Sequence, residues 1–101
     1  MRDFDWDETK RRATIEKHYI DFAEAVTIFL GPHLLLPARS EIEQRRIAVG
    51  TLSGSVIAVI FTLRGDTCRI ITARKARRDE REQYQALLDG PDPSDERRDR
   101  L

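Results

Sequence analysis

Residues 55–84 read SVIAVIFTLRGDTCRIITARKARRDEREQY. Ser55 to Leu63 is the most apolar and β-branched run in the chain, which predicts a central strand. Arg64-Gly65-Asp66 is a turn signal, and Cys68 to Ala73 returns as a second strand. A turn this short joins antiparallel neighbours, because a parallel crossover takes a dozen residues or more. The returning strand then runs into charge. Five of the ten residues from Arg69 to Arg78 are Arg or Lys, and none is acidic. From about Arg77 to Leu88 the pattern becomes helical, with Ala76, Tyr84, Leu87 and Leu88 able to face the sheet.

Upstream of this stretch, Arg46 to Leu52 reads as a further strand ending at Ser53-Gly54, and Leu34-Leu35-Leu36 is a short apolar run before Pro37. Towards the N-terminus, Phe4-Asp5-Trp6-Asp7 alternates like a short strand. Asp5 or Asp7 can cap a helix running to about Lys17, whose residues Lys10, Thr14 and His18 share one face. Asp21 followed by Glu24 resembles a capping box opening a second helix. The apolar stripe of that helix is Phe22, Val26, Phe29 and Leu30, and Gly31-Pro32 ends it. The expectation is an α+β domain: two N-terminal helices, a three- to four-stranded antiparallel sheet and a C-terminal helix.

The totals agree with a single small domain. The chain has 101 residues, 36% charged and 40% hydrophobic, with a formal net charge of zero, so the basic block is local. Residues 1–88 form the expected domain. Residues 89–101, with two prolines and mixed charge, have almost nothing to bury and are expected to be a disordered tail. No apolar run approaches the length of a membrane span, no signal-peptide pattern is present, and one cysteine makes no internal disulfide. The expected location is cytoplasmic, with no membrane association.

Two histidines and one cysteine lie far apart without ligand spacing, and the glycines sit at turns, so neither a metal site nor a phosphate-binding glycine loop is expected. Cys68 reads as a core residue. His18 follows Lys17, and histidine is the side chain suited to proton transfer near neutral pH; the alternative is a helix-end histidine interacting with the helix dipole. Arg69, Arg74, Lys75, Arg77 and Arg78 can hold phosphates, with Arg74 placed at the strand end to clamp one in a forked geometry. The alternative is a solvated surface with ordinary pairs such as Arg78 with Glu82. Glu80 and Tyr84 lie one turn apart, either as site residues or as a hydrogen-bonded pair that docks the helix. A local basic block on a small domain suits a nucleic acid.

The segments Phe4-Asp5-Trp6-Asp7-Glu8-Thr9-Lys10, Lys17-His18 and Phe22-Ala23-Glu24-Ala25 together resemble the N-terminal signature of the BrnT family of bacterial toxins. Arg45 five residues before Gly50, the run from Arg69 to Ala76, Glu80 and Tyr84 continue the resemblance in order and spacing. The family usually has Asn where Thr14 stands, and often Gly where Tyr19 stands.

The resemblance implies a fold similar to RelE-type ribonuclease toxins and a metal-independent endoribonuclease that halts translation without a cofactor. It implies a BrnA-type antitoxin carrying a ribbon-helix-helix part, through which alone the complex meets operator DNA. On that basis His18, Arg74, Glu80 and Tyr84 are the expected catalytic residues. Lys17, Arg45, Arg69, Lys75, Arg77 and Arg78 are the expected RNA contacts. The competing reading is a non-catalytic nucleic-acid- or protein-binding module. Free toxin is expected to meet its antitoxin at an exposed sheet edge or at the basic surface.

Overall fold

A computed structural model describes residues 3–38 and 44–90. The expectation for the tail lies outside these residues, apart from Asp89 and Gly90. The elements run β1 (Asp3–Trp6), α1 (Glu8–His18), α2 (Phe22–Ala25) continued by a 3-10 helix (Val26–Leu30), β2 (Leu34–Ala38), β3 (Arg45–Leu52), β4 (Ser55–Arg64), β5 (Thr67–Lys75) and α3 (Arg78–Asp89).

The strands form one sheet in the order β1-β5-β4-β3-β2. The apolar run therefore sits in the middle: Ile57, Ala58, Val59 and Phe61 of β4 are all buried. From β2 to β5 every pairing is antiparallel, as the short turns require. At the far edge the expectation is corrected. β1 pairs parallel with β5, Phe4 opposite Cys68 and Trp6 opposite Ile70, so the sheet is mixed and has five strands. β1 is separated from β5 by most of the chain, and no local turn constrains its direction.

Strand alternation gives the sheet two cores. Ile57, Val59, Phe61, Cys68, Ile70 and Ala73 pack against Phe22, Ala25 and Ile28 on one face. Val49 and Ala58 pack with Ala76 and Tyr84 beneath α3 on the other. Asp21 caps α2 by accepting from the Ala23 N–H at 2.9 Å, but the segment then tightens into a 3-10 helix. Its buried residues consequently recur every third position, at Phe22, Ala25 and Ile28. Leu30, expected in the apolar stripe, is instead 73% exposed. The close packing of Ile28 depends on Gly50: a Cβ added there would come within 2.8 Å of the Ile28 Cβ. Leu87 and Leu88 also depart from expectation. Both remain exposed.

One irregularity shapes the edge near α1. Between Ile60 and Phe61 the β4–β5 register shifts, so Ile70 faces Phe61, Thr72 faces Ile60, and Ile71 is an extra residue on β5. This bulge turns Ile71 and Thr72 towards α1, beyond the point where β1 ends.

Candidate functional site

The Asp7 carboxylate opens α1 by accepting from the N–H groups of Thr9 (2.8 Å) and Lys10 (3.2 Å). The helix ends in Lys17 and His18, favourable company for the negative end of its dipole. Tyr19 then takes a left-handed conformation, φ 59°, and donates its N–H back to the Ile15 carbonyl at 2.9 Å. This is the backbone state glycine enters without cost. Arg11 secures the next segment. Its Nε and Nη2 donate to both Asp21 carboxylate oxygens at 2.9 and 3.0 Å, tying α1 to the start of α2. The Arg11 hydrogen bonds hold the Asp21 carboxyl below its ordinary range.

Between α1 and β5 lies a shallow cleft of about 290 Å3, lined by Lys10, Ala13, Thr14, Lys17, His18, Ile71 and Thr72. Lys10, Thr14, Lys17 and His18 stand on one helical face, and the bulged strand supplies the opposite wall. Thr14 is buried and donates its hydroxyl to the Lys10 carbonyl at 2.8 Å. No carboxylate lines the cleft. Among the described residues, Lys10, Lys17 and His18 have no ion-pair partner. The arrangement offers two ammonium groups and one imidazole to a single ligand, which suits an anion that also exchanges a proton.

The end of β5 is built differently. Arg74 Nη1 and Nη2 donate to the two Glu80 carboxylate oxygens at 2.7 and 2.9 Å. The same carboxylate accepts from the Arg77 N–H at 2.7 Å and so caps α3. Glu80 is 4% exposed. Its carboxyl is held below the ordinary range, chiefly by the Arg74 hydrogen bonds, with burial opposing and the Arg77 N–H assisting. Glu80 in turn raises the Arg74 guanidinium. Nearby, Arg81 Nη1 donates to the Ala76 carbonyl at 2.7 Å. Tyr84 is buried in the second core, with its hydroxyl 2.9 Å from the Thr51 hydroxyl. Among the described residues no cluster of three or more His, Cys, Asp or Glu could hold a metal ion. No described helix is long and apolar enough to cross a membrane.

Residues 6–80 match the family described as ribonuclease toxin, BrnT, of type II toxin-antitoxin system. The chain belongs to the BrnT family. It is also similar to the ribonuclease toxin BrnT of Brucella abortus, solved by crystallography at 1.1 Å. That match has 33% identity and a TM-score of 0.64, covering 77% of this chain and 100% of the other. Comparison with curated protein sequences yields no match.

As a BrnT-family ribonuclease toxin, the chain has an antitoxin for a partner, and its expected site residues fall into two groups. Lys17 and His18 meet in the cleft, together with Lys10 and Thr72, to which sequence reasoning gave no role. Lys10 already shared a helical face with His18 in the sequence; Thr72 could not be found without the bulge. Of the others, Arg74, Glu80 and the Arg77 N–H meet at the end of β5, and the rest are scattered. Arg69 pairs with Asp5 on the adjacent strand at 3.3 Å. Arg45 opens β3 opposite Ala38. Arg74 and Lys75 are successive strand residues and point to opposite faces. Arg77 precedes α3, and Arg78 pairs with Glu82 at 3.1 Å on the surface.

Two expected site residues are enclosed. Glu80 is a buried carboxylate engaged on both oxygens. Tyr84 has its ring in the second core. Arg74 is bound to Glu80 in the forked geometry expected for a phosphate.

Proposed function

We propose that this toxin cuts RNA in the cleft between α1 and β5, without a metal ion or cofactor. His18 takes the proton of a ribose 2′-hydroxyl, and the 2′-oxygen attacks the adjacent phosphorus. The bond from phosphorus to the 5′-oxygen breaks, and that oxygen is protonated by a lysine ammonium or by water. A 2′,3′-cyclic phosphate and a 5′-hydroxyl result. Lys10 and Lys17 stabilise the charge that develops on the phosphate oxygens. Arg74 and Glu80 act as positioning residues that hold α3 against β5, and Thr72 lies two strand residues, about 7 Å, from Arg74 on the same face.

The observation that supports this reading is the convergence of Lys10, Lys17 and His18 on one wall with no carboxylate beside them. In a bacterial cytoplasm such cleavage would inhibit translation. A BrnA-type antitoxin with a ribbon-helix-helix part would neutralise the toxin and carry the complex to operator DNA.

The test combines purified protein and cells. Incubated with RNA and excess chelator, the protein should generate cyclic-phosphate ends. Its induction in a bacterium should arrest growth, and the co-encoded ribbon-helix-helix protein should restore it. RNA left intact at protein concentrations that retain it on a filter would favour a second reading, an RNA-binding module without catalysis. The sequestration of Glu80 and Tyr84, which leaves His18 without a neighbouring acid, is the observation on that side.

A further inference from the structure

The helix-2 face of the sheet is incompletely covered. Where the 3-10 helix ends, Phe29, Phe61 and Leu63 surround a pocket of about 390 Å3, bordered by Leu30, Leu35, His33 and Arg46. Phe29 and Phe61 meet edge to face with centroids 5.2 Å apart, so these walls support one another. Leu30 is 73% exposed and Leu35 51% exposed, two large apolar side chains held at the mouth of an apolar cavity. Leu35 belongs to β2, which pairs only with β3 among the described residues.

The lining of the pocket is predominantly aromatic and aliphatic. Arg46 is its one permanently charged residue, and no carboxylate lines it. RNA is a poor occupant, because it needs several cations, and Arg46 is the one Lys or Arg lining this pocket. The chain's own C-terminal residues are also poor occupants. They follow α3, which packs on the opposite face, and Leu101 is the only large apolar residue among 91–101. A protein segment with an apolar side chain followed by a carboxylate matches both the cavity and Arg46.

We infer that this pocket is where the antitoxin anchors: an apolar antitoxin side chain enters between Phe29 and Leu35, and a neighbouring carboxylate pairs with Arg46. The inference rests on the toxin–antitoxin reading of the chain. It separates the antitoxin's grip from the RNA cleft, since the two share no lining residue. The toxin can then lose neutralisation without losing its activity.

The experiment uses the full-length toxin and the co-encoded protein that restores growth. Leu30→Glu, Leu35→Glu and Arg46→Glu are made singly, and the two leucine changes are also combined. All three positions are exposed, so each variant should melt as the wild type does. Each should weaken antitoxin binding about tenfold or more in calorimetry, the scale of one interface hot spot. The double variant should arrest growth in the presence of antitoxin while cleaving RNA at the wild-type rate. Wild-type antitoxin affinity in a folded double variant and in Arg46→Glu would overturn the inference. So would a change confined to self-association of the free toxin on gel filtration, since the pocket would then belong to a second copy of this chain. Failure of the wild-type toxin to cleave RNA, or of any co-encoded protein to restore growth, would strike the underlying reading instead.

Discussion

The N-terminal helix face and Arg74 at the end of β5 are both basic in sequence, yet the fold uses their charges in opposite ways. Lys10, Lys17 and His18 line an open cleft without an ion-pair partner among the described residues. Arg74 is tied to a buried carboxylate that also caps a helix. A cation already holding a carboxylate in both arms gains little from a phosphate, because the exchange leaves Glu80 buried and unpaired. A cation that faces only water loses little on binding. Density of positive charge along a chain therefore does not locate a phosphate site. In the reading proposed above, it lies where unpaired cations converge beside an imidazole, as in the cleft.

The strongest test of this contrast is His18→Ala. It should lower RNA cleavage by about 10²–10⁴-fold, with an unchanged melting temperature, because the ring is not part of either core. Arg78→Ala, assayed beside it, should cleave nearly as the wild type does, since Glu82 is its partner. A His18→Ala variant with full activity would empty the cleft of its role.

Arg74→Ala should show the converse pattern. Removing the partner of a buried carboxylate should cost about 3 kcal/mol of folding stability, readable in urea unfolding at pH 7. Any loss of toxicity would then follow the loss of fold. The effect should depend on pH. The folded pKa of Glu80 lies below its ordinary value of 4.5, so its contribution is complete above that value and is lost as pH falls through the folded pKa. The gap between wild type and variant should accordingly narrow below pH 4.5. A variant as stable as wild type at pH 7 but inactive would return Arg74 to the site as a phosphate ligand.

Two glycine positions sharpen the comparison at smaller scale. Gly50→Ala should destabilise by about 1–3 kcal/mol, because the new methyl meets Ile28 through its Cβ rather than a flexible tip. Unchanged thermal unfolding would show that the 3-10 helix can retreat. Tyr19→Gly should do the reverse and raise stability by about 1 kcal/mol. The left-handed turn after His18 would lose its steric penalty, while the exposed tyrosine ring contributes no core contact. A lower melting temperature would mean that the ring supports the cleft.

Much of the fold was legible because its signals are local. The apolar, β-branched composition of Ser55 to Leu63 required burial on both sides, and the tight turns around it required antiparallel neighbours. Asp7 and Asp21 announced helix starts because a short acceptor side chain there satisfies otherwise unpaired N–H groups. Lys10, Thr14 and His18 were placed on one face by helical geometry alone. The family signature depended on the order and spacing of particular residues.

Other features depended on partners distant in sequence, and local pattern cannot report those. The parallel pairing of β1 with β5 joins residues more than sixty positions apart, Phe4 with Cys68 among them. The 3-10 tightening after Ala25 leaves Leu30 exposed and Ile28 buried against Gly50 on another strand. The bulge at Ile71, which brings Thr72 to α1, has no mark in the sequence. The chain alone determined which residues are cationic and which segments must be buried. Tertiary structure alone decided which cations remain unpaired, because that depends on whether a carboxylate from elsewhere arrives beside them.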